Sequence, residues 1–118
     1  KFFPTADFRK GDLYDLSDMP KADTVFCLST LVHLPDLPLL SLWERAKQAL
    51  VFNMFIARKT EIGYHQLPKG MAIYHYYNKR QLRRHCNRLP DVKSVKIYQC
   101  KTYQPDGNNF AFVRILKE

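Results

Sequence analysis

The residues best suited to chemistry in this 118-residue chain fall in three places. His33 stands between the apolar run Thr24–Leu28 and Asp36. A histidine in a loop after a buried strand can take a proton from a nucleophile or orient it, because its charge changes near neutral pH. It can equally be a packing histidine hydrogen-bonded to backbone. Asp12 opens an acidic stretch with Asp15, Asp18 and Asp23, where a carboxylate either binds a ligand or caps a turn. Farther on, Tyr64, His65, Tyr74, His75, Tyr76 and Tyr77 crowd a segment that carries Gly63, Pro68 and Gly70. Such aromatics can stack a planar substrate and exclude water, or pack together beneath a long loop.

Other chemistries are excluded or weakened. Cys27, Cys86 and Cys100 are an odd set without C-x-x-C spacing, which argues against a disulfide framework and a structural zinc, and for a reducing cytoplasmic setting. His65 and His75 have no third ligand at a convincing metal spacing, so no metal is expected. No run approaches the roughly 20 apolar residues of a membrane span. No secretory signal opens the sequence, and a chain starting at Lys1 reads as a fragment, a processed product or a trimmed chain. The formal charge is +8, much of it at Lys79, Arg80, Arg83, Arg84, Arg88, Lys93 and Lys96. That cluster is either a solvated helix face or a surface for nucleic-acid phosphates, although no RNA-binding motif accompanies it.

The elements that must position these residues follow from periodicity. The length suits one domain, residues 1–118. Asp7–Lys10 reads as a brief strand and Gly11–Pro20 as loop. Thr24–Leu28 is a continuous apolar run of the kind buried in parallel sheets. Asp36 is a suitable N-cap for a helix whose stripe is Leu39, Leu42, Trp43, Ala46 and Leu50. Val51–Ala57 is a second buried strand, and residues 59–77 show no clear period. Asn78 and Gln81 form a capping box for a helix with Leu82, His85, Cys86 and Leu89 on its apolar face, stopped by Pro90. Ser94–Tyr103 and Phe110–Leu116 read as strands joined by the turn Pro105–Asn109. Strands alternating with helices predict an α/β fold, a parallel sheet covered on both faces, with a closing antiparallel hairpin.

Three segments in this order resemble the class I, Rossmann-like methyltransferases. Gly11–Leu16 resembles the family's acidic loop after its third strand. Asp23–Asp36, with an apolar strand, a short polar pair and then Leu31-Val32-His33-Leu34, resembles its fourth strand and following loop. The hairpin ending in Asn109–Val113 resembles its last two strands. The likeness runs from about Phe8 to Lys117. The family's first strand, its glycine-rich loop and the acidic residue ending its second strand are absent; Gly11, Gly63, Gly70 and Gly107 form no G-x-G-x-x-G pattern.

The resemblance implies a mostly parallel, Rossmann-like sheet with a C-terminal antiparallel hairpin, incomplete on its N-terminal side. It implies S-adenosylmethionine as cofactor and a small-molecule acceptor of the methyl group. Asp12 and the Leu13 backbone N–H would meet adenine, Cys27, Leu28 and Ser29 would line the methionine part, and His33 would stand at the reacting end. Tyr64, His65 and Tyr74 would build the acceptor pocket. An open parallel edge at Thr24–Leu28 calls for an upstream segment, or a second copy, to complete the sheet. A non-catalytic binding module of the same fold and a nucleic-acid-binding domain using helix 79–88 are the alternatives.

Overall fold

The computed structural model describes residues 5–34, 37–58, 60–100 and 109–118; the side chains of residues 61, 64–67, 72 and 109 lie outside that description. In chain order the elements are β1 (Ala22–Cys27), a 3-10 turn (Leu31–His33), α1 (Leu39–Arg45), β2 (Ala46–Ile56), β3 (Glu61–Leu67), β4 (Gly70–Tyr77), α2 (Lys79–Asn87), β5 (Val92–Cys100) and β6 (Asn109–Lys117). The strands form one six-stranded mixed sheet with β2 as its axis. One edge of β2 pairs in parallel with β1 from Ala46 to Phe52, then with the end of β4 at Phe55 and Ile56. The other edge pairs antiparallel with β6, which pairs antiparallel with β5. The expected C-terminal hairpin is therefore present, and the parallel part of the sheet is β1, β2 and the tip of β4.

Two segments depart from the periodicity. Residues 59–77 hold an antiparallel hairpin, β3 and β4, in register from Glu61–Tyr76 to Leu67–Gly70. Its turn uses Gly70 at φ 140°, a conformation that favours glycine. The second departure is the boundary between helix and strand. The helix ends at Arg45, and Ala46–Leu50 already belong to β2. The predicted stripe is still buried throughout, but Ala46 and Leu50 reach the core from a strand. Sheet pairing on both edges satisfies the β2 backbone more fully than another helical turn would. Lys117 Nζ then closes the helix end, donating to the carbonyls of Trp43 (3.1 Å) and Ala46 (2.5 Å).

Smaller differences follow the same logic. Residues 6–11 carry no regular structure, so the brief strand at Asp7–Lys10 is not formed. Asp36, and residues 101–108 of the last hairpin, lie outside the described residues; Pro38 stands at the N-cap of α1. Asn78 caps α2 by accepting from the N–H groups of Arg80 (3.0 Å) and Gln81 (3.4 Å). Gln81 does not reach back to Asn78 directly. The Thr60 hydroxyl stands between them, donating to Gln81 Oε1 and accepting from the Asn78 N–H.

One face of the sheet is the core. Leu50, Phe52, Met54 and Ile56 of β2 lie beside Ile115, Val113 and Ala111 of β6, all buried. Leu31 and Val32, Leu39, Leu42 and Trp43 of α1, and Leu82 and Cys86 of α2 complete the cluster. The expectation of helices on both faces is not met, because the described helices bury their apolar sides on this face alone. The other face presents Phe26 of β1 (65% exposed), Tyr98 of β5 (47%) and Phe112 of β6 (36%). No described helix is long and apolar enough to cross a membrane.

Candidate functional site

The chain leaves the sheet at the carboxyl end of β1, where ligands of open α/β sheets bind. Cys27 is buried, and burial pushes its thiol pKa up, opposed by a hydrogen bond involving Thr30. Leu28 is half exposed, and its carbonyl accepts from Thr30 Oγ1 at 3.1 Å. Ser29 then adopts a left-handed backbone, φ 58°. That conformation costs a non-glycine residue about 1 kcal/mol or more, so the surroundings must enforce it.

Asn53 does so from β2. Its Oδ1 accepts the Ser29 N–H at 2.6 Å, and its Nδ2 lies 3.4 Å from Ser29 Oγ. Asn53 is buried, so these bonds satisfy polar atoms that water does not reach. Sequence reasoning missed this residue. The available signal was one amide among the apolar residues of Val51–Ala57, where an unpaired Asn would be costly.

His33 ends the 3-10 turn and is exposed. Its Nδ1 lies 3.0 Å from the Ile73 carbonyl oxygen on β4. A carbonyl only accepts, so Nδ1 carries the proton and the neutral ring keeps its lone pair on Nε2. The imidazole also meets the Tyr74 ring at 4.7 Å between centroids, and Tyr74 meets Phe55 edge-on at 5.5 Å. The β3–β4 hairpin thus supplies both the group that orients His33 and an aromatic wall beside it.

The structure gathers Leu28, Ser29, His33 and Tyr74 around the carboxyl end of β1. The side chains of Tyr64 and His65 lie outside the described residues. Asp12 and Leu13 belong to a different turn. Asp12 Oδ1 accepts the Tyr14 N–H at 2.9 Å and its carbonyl accepts the Asp15 N–H at 3.0 Å, so this carboxylate caps a turn. Leu13 leans half-buried against the core. Tyr14–Ser17 and residues of α1 and its approach, Leu37 to Arg45, line an open cleft of about 300 Å³. Arg45 Nη1 donates to the Met19 carbonyl at 2.9 Å and ties this loop to α1.

No protein-family model matches the chain, and no curated protein matches it. Solved structures do. Magnesium protoporphyrin IX methyltransferase (ChlM) from Synechocystis PCC 6803, with bound SAM, superposes at a TM-score of 0.63 and 17% identity, covering 92% of this chain and 44% of that one. The same enzyme with bound SAH gives 0.61 at 17% identity, covering 92% and 49%. The glycopeptide N-methyltransferase MtfA, complexed with S-adenosyl-L-homocysteine, gives 0.64 at 11% identity, covering 93% and 60%. The fold is that of S-adenosylmethionine-dependent methyltransferases, and the chain spans about half the length of these enzymes.

Proposed function

We propose that this chain is the C-terminal part of a class I methyltransferase that binds S-adenosylmethionine and methylates a small or medium acceptor. The observation that supports this most is the left-handed Ser29, locked by buried Asn53 at the carboxyl end of β1, with His33 oriented on the same loop. The groups present suit the cofactor's ends. The Leu28 carbonyl keeps a lone pair for the methionine amine, the exposed Leu28 side chain offers apolar surface, and Asp12 has a second carboxylate oxygen for an adenine amine. The cofactor brings an electrophilic methyl on a sulfonium. His33 Nε2 would accept the proton that the acceptor atom releases, and Tyr74 would stack the acceptor and keep water out.

The open outer edge of β1 and the aromatic sheet face beside it would be completed by further chain or by a second copy. The reading is tested by titration calorimetry of the chain, together with the residues encoded ahead of Lys1, against S-adenosylmethionine and S-adenosylhomocysteine. Saturable heat with both is expected. No heat with either would end it.

A further inference from the structure

We propose that α2 presents a phosphate-binding surface for a nucleic-acid strand, separate from the site at Ser29 and His33. The helix reads Lys79-Arg80-Gln81-Leu82-Arg83-Arg84-His85-Cys86-Asn87, followed by Arg88, and holds no acidic residue. The basic last turn, with Arg84 and His85, is the end where the helix dipole favours cations; the first turn is not. Lys79 and Arg80 occupy the first turn, where the helix dipole disfavours cations. Arg80, Arg84 and Arg88 follow at successive i,i+4 positions, where like charges repel. Among the described residues the ion pair formed is Arg9–Asp7, far along the chain, and no described carboxylate pairs with these three guanidinium groups.

Arg83 differs from the other three. Half-buried, it donates to the Val95 carbonyl at 2.8 Å and anchors α2 to β5. Arg80, Arg84 and Arg88 are exposed. Each stands about 6 Å further along the helix axis than the last, so the row can follow successive phosphates of one strand. Two open clefts lie beside the row: one of about 300 Å³ lined by Thr60, Gln81, Arg84, His85 and Arg88, and a larger one at Asn78, Lys79, Arg80 and Arg83. Their amide N–H, imidazole and guanidinium groups suit phosphate oxygens.

The same residues disfavour a membrane. An interfacial helix must insert an apolar face, but Leu82, Cys86 and Leu89 are committed to the core. Arginine, rather than lysine, dominates the exposed row, as suits planar recognition of phosphate. The described residues lining the two clefts include no Phe, Tyr or Trp to stack bases, so binding is expected to be insensitive to sequence.

The test is fluorescence anisotropy of a labelled single-stranded oligonucleotide of mixed sequence, titrated with the chain from about 50 to 200 mM salt. Three phosphate contacts predict a slope of log K against log salt of roughly −2. The triple variant Arg80→Gln, Arg84→Gln, Arg88→Gln should abolish most of that slope, while Lys10→Gln, Lys21→Gln, Lys47→Gln, an equal loss of charge elsewhere, should retain it. Thermal melting reports whether the triple variant folds. If it does not, the single variant Arg84→Gln carries the test, with an expected slope change of about 0.7. No anisotropy change at the lowest salt, or equal losses in the two triple variants, would overturn the proposal. So would retention on phosphatidylserine vesicles without oligonucleotide binding. The outcome is independent of cofactor binding, so this inference and the methyltransferase reading fail separately.

Discussion

The Ser29 backbone N–H, in the loop after β1, and Asn53 Oδ1, on the neighbouring strand β2, are joined by a hydrogen bond of 2.6 Å. The bond spans 24 positions of sequence and ends on a residue at positive φ. A side chain in the middle of β2 thereby dictates the shape of the loop after β1, and that loop carries His33. The candidate site is fastened to the sheet at this point.

Replacing Asn53 by Ala should therefore cost about 2 kcal/mol, because it removes the acceptor and leaves the Ser29 backbone strained. Ser29→Gly relieves the backbone, since glycine adopts positive φ freely, but removes the long Oγ contact to Asn53 Nδ2, so it should change stability by less than about 1 kcal/mol. Urea unfolding of both variants, followed by circular dichroism, measures the two effects.

Under the proposed methyltransferase reading, His33→Ala should lower the rate of methyl transfer by about 10²–10⁴-fold, the usual contribution of a positioned acid–base group. Cofactor affinity should stay within a few-fold of the parent. Release of S-adenosylhomocysteine gives the rate and calorimetry gives the affinity. A parallel loss of both would mean that His33 shapes the pocket instead of moving a proton.

Trp43 is fully buried, its Nε1 donates to the Pro90 carbonyl at 2.7 Å, and Lys117 Nζ lies 4.5 Å from its ring centroid. It links α1, the end of α2 and the last residues of β6. Trp43→Phe keeps most of the packing and should cost about 1–2 kcal/mol for the lost donor. Trp43→Ala should cost roughly 3–5 kcal/mol and leave a domain close to its unfolding threshold. Denaturant melts of the two variants separate these contributions.

Cys86 is a buried thiol whose pKa is pushed up to about 12 by burial, opposed by the nearby Arg83 charge. The raised pKa means that the folded protein holds this proton more tightly than the unfolded chain does. Its contribution to stability is therefore complete below about pH 9 and is lost as pH rises toward 12. Cys86→Ala should flatten the fall of stability over that interval relative to the parent. At neutral pH, iodoacetamide should modify half-buried Cys100 well before Cys86. Melts between pH 8 and 11 and peptide mapping of the alkylated protein test the two statements.

The strands flanking the site were legible because their apolar runs are continuous: Thr24–Leu28 and Phe110–Leu116 overlap β1 and β6 closely. Asn78 was legible as a cap for a local reason, since a cap is made within one helical turn. The β3–β4 hairpin was not legible. Ile62, Met71 and Ile73 are exposed while Tyr76 and Tyr77 are buried, so its burial lacks the alternation that marks a half-buried strand. The early end of α1 was hidden for the opposite reason. Ala46 and Leu50 suit a helical stripe and a buried strand equally well, and only pairing with β1 and β6 decides between them.

The site divides in the same way. His33 could be marked from its position after a buried strand, but its orienting partner, the Ile73 carbonyl, lies 40 residues away on a hairpin that periodicity did not reveal. Asp12 was equally readable as ligand or turn cap; its Oδ1 accepts the Tyr14 N–H as a cap does, and the other carboxylate oxygen is the one the ligand reading uses.

The bare sheet face has a consequence for handling the molecule. Phe26, Phe112 and Tyr98 point outward, and beside Phe112 and Tyr98 the register sets Arg114 directly across from Lys96, two cations side by side. Sodium chloride shifts the balance on this surface toward association. It screens the cations that hold two such faces apart, and it leaves the aromatic attraction between them intact. Clarity of a concentrated solution should accordingly be greatest in dilute buffer and decline on salting, the reverse of the behaviour expected from a protein precipitated by attraction between opposite charges.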